Sequence, residues 1–528
     1  MLCEQLGLQR LRQNLTIGCR NRSGGYLHSM SDQLITLEQA SSDILAAAGY
    51  LAQFIKSSDG HAEAMKAVVP RYLERGEVDL AAELSNTVED PFTRDRLLIQ
   101  VAEKCAEIGD DEYALQLADA IEDVGMQSQA RERIAIKKAL SGDFDKASEV
   151  AEQILNPDYV YAEIAVGLAK SGRDEESGEC LDRIELSAAR ASALQELSAW
   201  NREKGNADAG LALLDQGFDA AEEIEHGEER VRSMGEIANA YIDAGRTDLA
   251  VKAFEAAKEE AEVLTSLHRD AFLSGIAIGL LKAGNVELAD ESLDLVVDKT
   301  QVASGLLGFA RIFWDKGQKE DALESLEEAY SITRSQRETE IRDSRASNAL
   351  SGLIAQQYAL FGKPERAIEI AQENRDPAEK ANTLARMAQI FAQEGDTDAA
   401  EQSVRAIDDE SSRVFAWIGL ARAKANLGDN EQAIAALDEA VGLADDLPHL
   451  LLKTSAFETS APLYDELGAA DRSHETRRKT LETIATIRSE SDRAVAMATL
   501  SDVYERTGLR PDENEREMIA AIMRTTLW

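Results

Sequence analysis

WIGLARAKANLGDNEQAIAALDEA, residues 417 to 440, reads as two amphipathic helices joined by a tight turn. Apolar residues recur at 3.6-residue spacing from Phe415 to Ala425, Leu-Gly-Asp interrupts at 427 to 429, and a second apolar period starts at Ala433. Gly428 marks the stop, because the residue just past a helix end often turns left-handed and glycine does so without a Cβ clash. This helical hairpin is one unit of a repeat, and copies of it fill most of the chain.

From residue 61 the copies run without interruption. Turn glycines recur at 76, 109, 142, 172, 205, 245, 284, 317, 362, 395, 428, 468 and 508, with spacings from 30 to 45 residues and most often 33. Seven residues before the glycine, Ala stands at 102, 135, 165, 238, 277, 310, 355, 388, 421 and 461; five residues after it, at 81, 114, 147, 250, 289, 322, 367, 400 and 433. A small residue on each helix lets two backbones approach closely. Large residues four before the glycine (Tyr72, Tyr241, Phe313, Tyr358, Phe391, Tyr464 and Tyr504) are expected to fill the space between. The long spacings predict extended second helices between Gly205 and Gly284. The polar run at 331 to 348 reads as a helix extension or a hinge.

The array resembles tetratricopeptide repeats, with the unit at 417 carrying Trp417, Leu420, Ala421 in place of the small glycine, then Ala433 and Leu437. Its neighbours keep the small residue, the Tyr or Phe, the turn glycine and the second Ala, only this unit has the Trp, and Pro91, Pro157 and Pro377 are the candidates for the closing Pro. HEAT-like repeats run longer, and the T-P-L-H of ankyrin repeats is absent from the sequence. The resemblance implies an all-α protein, a right-handed α-solenoid of about 13 stacked helix-turn-helix units.

Composition agrees with that expectation. With 8 Pro, 5% aromatic residues and abundant Ala, Leu, Glu and Arg, the 528 residues suit helices packed as one repeat array rather than a sheet core. A net charge of −41 argues against nucleic acid or anionic lipid as partner, since phosphate binding draws on clustered Lys and Arg. Cys3, Cys19, Cys105 and Cys180 show no C-x-x-C pair; reduced thiols and a cytoplasmic setting are the simplest reading. No apolar span is long enough for membrane insertion. No motif for a nucleophile, phosphate loop, metal or cofactor is found, and the histidines at 28, 61, 226, 268, 449 and 474 are scattered, so neither enzyme activity nor a cofactor is expected.

The expected organisation is a segment at 1–29 set apart from the repeats, an N-terminal capping helix within 30–60, the solenoid over 61–510 and a C-terminal capping helix in 511–528. Residues 1–29 carry four Arg and one Glu, share no period with the repeats, and read as a targeting or regulatory tail or as sequence upstream of a true start at Met30.

Two rows of charge stand out. Fifteen residues before the glycine a cation opens the first helix in eight units: Arg94, Arg190, Arg230, Arg269, Lys380, Arg413, Lys453 and Arg493. The helix dipole disfavours it there, so pairing with acids ending the previous helix is expected, with a comb for a ligand carboxylate as the alternative. The second row follows from the resemblance, which implies that first helices line a concave groove. Its positions here are occupied by Glu163, Glu196 and Glu236, then Arg311, Gln356, Arg386, Gln389 and Arg422. The implied function is a non-enzymatic scaffold binding an extended peptide or protein partner in that groove. The alternative is a peptide sensor whose superhelix changes shape on binding. The Lys and Asn set of chaperone-tail-binding members is not reproduced.

The charge generates a first prediction. Raising salt toward ~1 M, where the screening length falls to ~3 Å, should raise the melting midpoint or compact the chain as self-repulsion fades. Melting curves and small-angle scattering that stay flat across the salt series would show the acidic surface to be inert to folding.

Overall fold

A computed structural model describes residues 34–339 and 344–524; the segment 1–29 lies outside the described residues. Within them the chain is all helical, 28 helices from Leu37 to Arg524, arranged in pairs as an α-solenoid. Among the described residues, every backbone position with positive φ is one of the thirteen turn glycines, from Gly76 at 77° to Gly508 at 66°. A Cβ added at any of the thirteen would meet nothing within 4 Å, so what demands glycine is the left-handed backbone, not crowding.

The irregular spacings resolve into helix length. Where glycines lie 33 apart, the second helix has 9 residues, as in Val78–Asn86, Val286–Asp294 and Thr397–Arg405. Where they lie 39 or 40 apart, it has 16 or 17, as in Ala207–Glu222, Thr247–Val263 and Asn430–Asp445. The longest spacing, from Gly317 to Gly362, carries a 21-residue second helix, Lys319–Thr339, so the described part of the polar run at 331 to 348 extends a helix. Seven added residues are close to two full turns, so the extension leaves the apolar face where it was.

Packing rests on the alanines. All ten at the position seven before the glycine, and all nine at the position five after it, have 0% exposure. The large residues four before the glycine fill the gaps: Tyr72, Tyr241, Tyr358, Phe391, Tyr464 and Tyr504 are buried. Phe313 is the exception, only half buried. Cys105 and Cys180 are core residues whose thiols burial pushes up to about 12 and about 11, well away from reactive thiolates.

The chain forms two compact units. One comprises Ala135–Leu447 with Leu467–Ala469; the other joins the residues up to Ile134 to Pro448–Glu466 and the stretch from Ala470. In this second unit the two ends of the described chain meet. The helix Ile44–Gln53 buries every residue but Gln53, and a helix apolar all round must be covered all round. Glu490–Thr507, first helix of the last repeat, packs on Ile44–Gln53 and also on Ser58–Glu74. The helix that follows it, Glu513–Arg524, lies mainly against Ala470–Thr486 and also touches Ile44–Gln53 and Leu37–Ser42. The last repeat thus takes its partner from the beginning of the chain.

Charge fixes the register of this junction. Arg71 donates from Nε and Nη2 to the two carboxylate oxygens of Asp502 at 2.7 and 2.8 Å and from Nη1 to the Ala67 carbonyl at 2.5 Å. Arg75 bonds Asp43 at 2.9 Å and also reaches Glu505. With Arg71 committed, the nearby Glu458 is 7% exposed, and its Oε1 finds no hydrogen-bond donor. Burial, outweighing the Arg71 charge, therefore pushes the Glu458 carboxyl well above the usual range.

Two outcomes follow from this packing. Ala388→Trp or Ala421→Trp should each cost roughly 1 to 3 kcal/mol or more, because both sites have no spare volume; unchanged melting in both variants would refute the hairpin register. Because the folded Glu458 holds its proton above its unfolded value of 4.5, the stability it contributes is present below that pH and lost as pH rises through the folded value. Glu458→Gln should therefore raise the melting midpoint at neutral pH, by about 2–4 °C per kcal/mol relieved, with the gain vanishing below pH 4.5. A pH-independent effect in paired melting series would remove Glu458 as the cause.

Candidate interaction surface

The candidate groove residues all lie on first helices, nine or six positions before a turn glycine, and neighbouring first helices meet at those positions. A Cβ on Gly419 would stand 2.8 Å from Gln389 Nε2, and one on Gly308 would stand 2.5 Å from Ile278 Cδ1. In both cases the residue six before one turn glycine touches the residue nine before the next. The sequence spacing therefore marks a surface shared by adjacent repeats.

Along this surface two of the acidic members, Glu163 and Glu196, come together. Glu163 is half buried, and its carboxyl is raised first by desolvation and then by the charge of Glu196 in the next repeat. Glu196 is held by Lys170 at 2.6 Å, and Lys170 also offsets part of the rise at Glu163. Glu236 faces an open cavity of about 350 Å³ whose walls include Gln195, Arg202 and Asn239. Arg202 Nε is buried there without a hydrogen-bond partner.

The basic members differ among themselves. Arg311 is not a bare cation, since its Nε donates to Gln357 Oε1 of the following repeat at 2.6 Å. Gln356 is half buried and Gln389 exposed. Arg386 and Arg422 are exposed, and no ion pair joins either to another described residue.

The cation row at the start of the first helices is held differently from the expectation. Arg190 does reach Asp182 on the preceding helix, at 3.6 Å. Lys380, however, pairs with Asp408 and Arg230 with Glu260, acids of the same repeat's second helix or the loop after it. Arg230, Arg413 and Arg493 donate to the carbonyls of Ile224, Ile407 and Ile487, each six residues upstream. Those oxygens lie where a second helix has just ended, so their partial negative charge offsets the unfavourable dipole of the helix the cation opens. Backbone acceptors leave no mark in a side-chain pattern. Residues spent in this way do not form a ligand comb.

Sequence reasoning also missed a cluster near the C-terminus. His474 Nε2 stands 3.6 Å from Asp512 Oδ2, and His474 Nδ1 stands 3.6 Å from Glu515 Oε1. These three are the group among the described residues that could hold a metal ion. Arg477 Nε, at 3.5 Å from Glu515, already supplies a positive charge, and Asp512 Oδ1 caps the helix by accepting from the Glu515 amide at 2.8 Å. The arrangement is an ion-paired clasp holding Glu513–Arg524 to Ala470–Thr486. Among the described residues no helix is long and apolar enough to cross a membrane.

Comparison with known proteins follows the same repeats. The tetratricopeptide repeat model matches residues 231–262, 303–336 and 416–447. No curated protein matches the chain. Among solved structures, the nearly identical TPR-like repeats of a Podosopora anserina protein described as a kinesin light chain are 23% identical, covering 42% of this chain and 97% of that one with a TM-score of 0.23. Ton1535 from Thermococcus onnurineus is 14% identical over 76% of this chain and 98% of its own, TM-score 0.22. The human IFIT1 dimer with PPP-AAAA is 14% identical over 71% and 96%, TM-score 0.26. Paired helices, thirteen left-handed turn glycines and three matched segments give one conclusion: the chain is a tetratricopeptide-like repeat protein.

Proposed function

We propose that the protein is a non-enzymatic interaction scaffold that binds an extended peptide or a partner protein along the surface formed by its first helices. Repeats of this type serve in general as protein-interaction modules, and the rows at Glu163–Glu196–Glu236 and Arg386–Arg422 are the binding residues in this reading. The observation that carries it is the exposure of Arg386 and Arg422 with no described ion-pair partner, in a chain where Asp and Glu number 98 against 57 Lys and Arg. Arginines left unpaired amid such an excess of acid are available for bidentate capture of a carboxylate. The ligand then carries an acidic stretch or a free C-terminus at that end, and basic groups toward Glu163 and Glu196.

The test compares partner binding by the wild type, by Arg386→Ala/Arg422→Ala, and by a control of equal charge change, Lys252→Ala/Lys363→Ala. A desolvated Arg–carboxylate pair costs about 2–5 kcal/mol on truncation and acts on the off-rate, whereas rim charges mainly alter on-rate and salt dependence. Loss confined to the Arg386/Arg422 variant is the expected result. Unchanged binding there would mean the partner docks elsewhere.

A further inference from the structure

The second-helix face has its own opening, and it begins with Phe313. Its six aromatic counterparts are buried, yet Phe313 is partly exposed. It floors an open cleft of about 520 Å³ between the second helices Val286–Asp294 and Lys319–Thr339, above the first helix Lys299–Asp315. The setting follows from repeat length. The second helix Val286–Asp294 has 9 residues, while those before and after it have 17 and 21, so it alone stops short.

The floor is apolar: Leu293, Leu306, Phe309 and Phe313, the last two in edge-to-face contact with centroids 6.3 Å apart. Its rim is acidic, built from Asp290, Asp294, Asp321, Glu324 and Glu328, all exposed. No Lys, Arg or His lines the cleft, and among the described residues none forms an ion pair with this rim. The Asp321 carboxylate accepts a hydrogen bond from Gln318 Nε2 at 3.0 Å. Five carboxylates around an apolar floor repel one another and gain by meeting cations that bring apolar surface with them. A second copy of this chain, at −41, and nucleic acid both carry the wrong sign.

We propose that this cleft docks a basic amphipathic segment of a partner protein, with apolar side chains seated on Leu306, Phe309 and Phe313 and Lys or Arg side chains on the carboxylate rim. The cleft is lined by none of the residues assigned to the first-helix surface above, so the two readings stand or fall separately. Helix-in-groove docking of this kind combines an apolar stripe at i, i+3, i+4 and i+7 with flanking charge.

The experiment uses the full chain and a fluorescein-labelled Leu/Lys peptide of about 14 residues with leucines at helical spacing, read by anisotropy at about 0.15 M salt. A scrambled peptide of the same composition is the first comparison. Asp290→Asn/Asp294→Asn/Glu324→Gln/Glu328→Gln removes the rim, Phe313→Ala opens the floor, and Glu222→Gln/Glu223→Gln/Glu225→Gln/Glu255→Gln makes the same charge change elsewhere. Circular dichroism confirms that each variant is folded. Expected is a loss of about tenfold or more for the rim variant, for Phe313→Ala and for the scrambled peptide, with the control within about twofold. Absence of binding by the wild type, equal loss in the two fourfold variants, equal binding of the scrambled peptide, or no effect of Phe313→Ala would each overturn the proposal.

Discussion

Backbone approach at alanine is the contact on which the structure depends. Two helices can lie this close only where neither presents a side chain larger than a methyl group, and every alanine of the two repeated positions is sealed completely. In six of the thirteen units a buried aromatic ring four before the turn fills the remaining gap. The left-handed glycine closes the hairpin, and it sits in open space because the constraint there is angular rather than steric. Repetition then does the rest, with each unit stabilised by its neighbours.

Within this frame, length is the variable that the chain adjusts. Adding about two turns to a second helix changes nothing at the alanine contact, yet it changes the surface presented beyond it. Short second helices beside long ones make steps, and the cleft over Phe313 lies at such a step. Variation in a solenoid thus accumulates on the second-helix face while the buried seam stays constant.

Most of the fold was legible in the sequence because the signals are local: the glycines, the alanines and the spacing between them each concern residues within one or two repeats. Helix lengths followed from the spacing almost residue for residue. The partner of Ile44–Gln53 was not legible, because hydrophobic period tells that a helix is buried but not by what, and its partner lies more than 430 residues away in sequence, as Arg71 and Asp502 do. For the candidate surface, the sequence placed the residues on adjoining first helices, but not the bond that occupies Arg311. Nor could it show that Arg230, Arg413 and Arg493 turn to carbonyl oxygens, or that Glu458 sits beside an arginine already engaged by Asp502.

The completion of the last repeat by Ile44–Gln53 has a consequence for how the protein is made. That helix leaves the ribosome apolar on every side, long before Glu490–Thr507 is synthesised. At about 5–20 residues per second, the intervening chain takes roughly 20–90 s to appear. For that interval the helix has only part of its cover. A solenoid of otherwise local contacts, which could fold unit by unit as it is translated, thereby acquires one pairing of very high sequence separation that can form only after all the intervening repeats have been made.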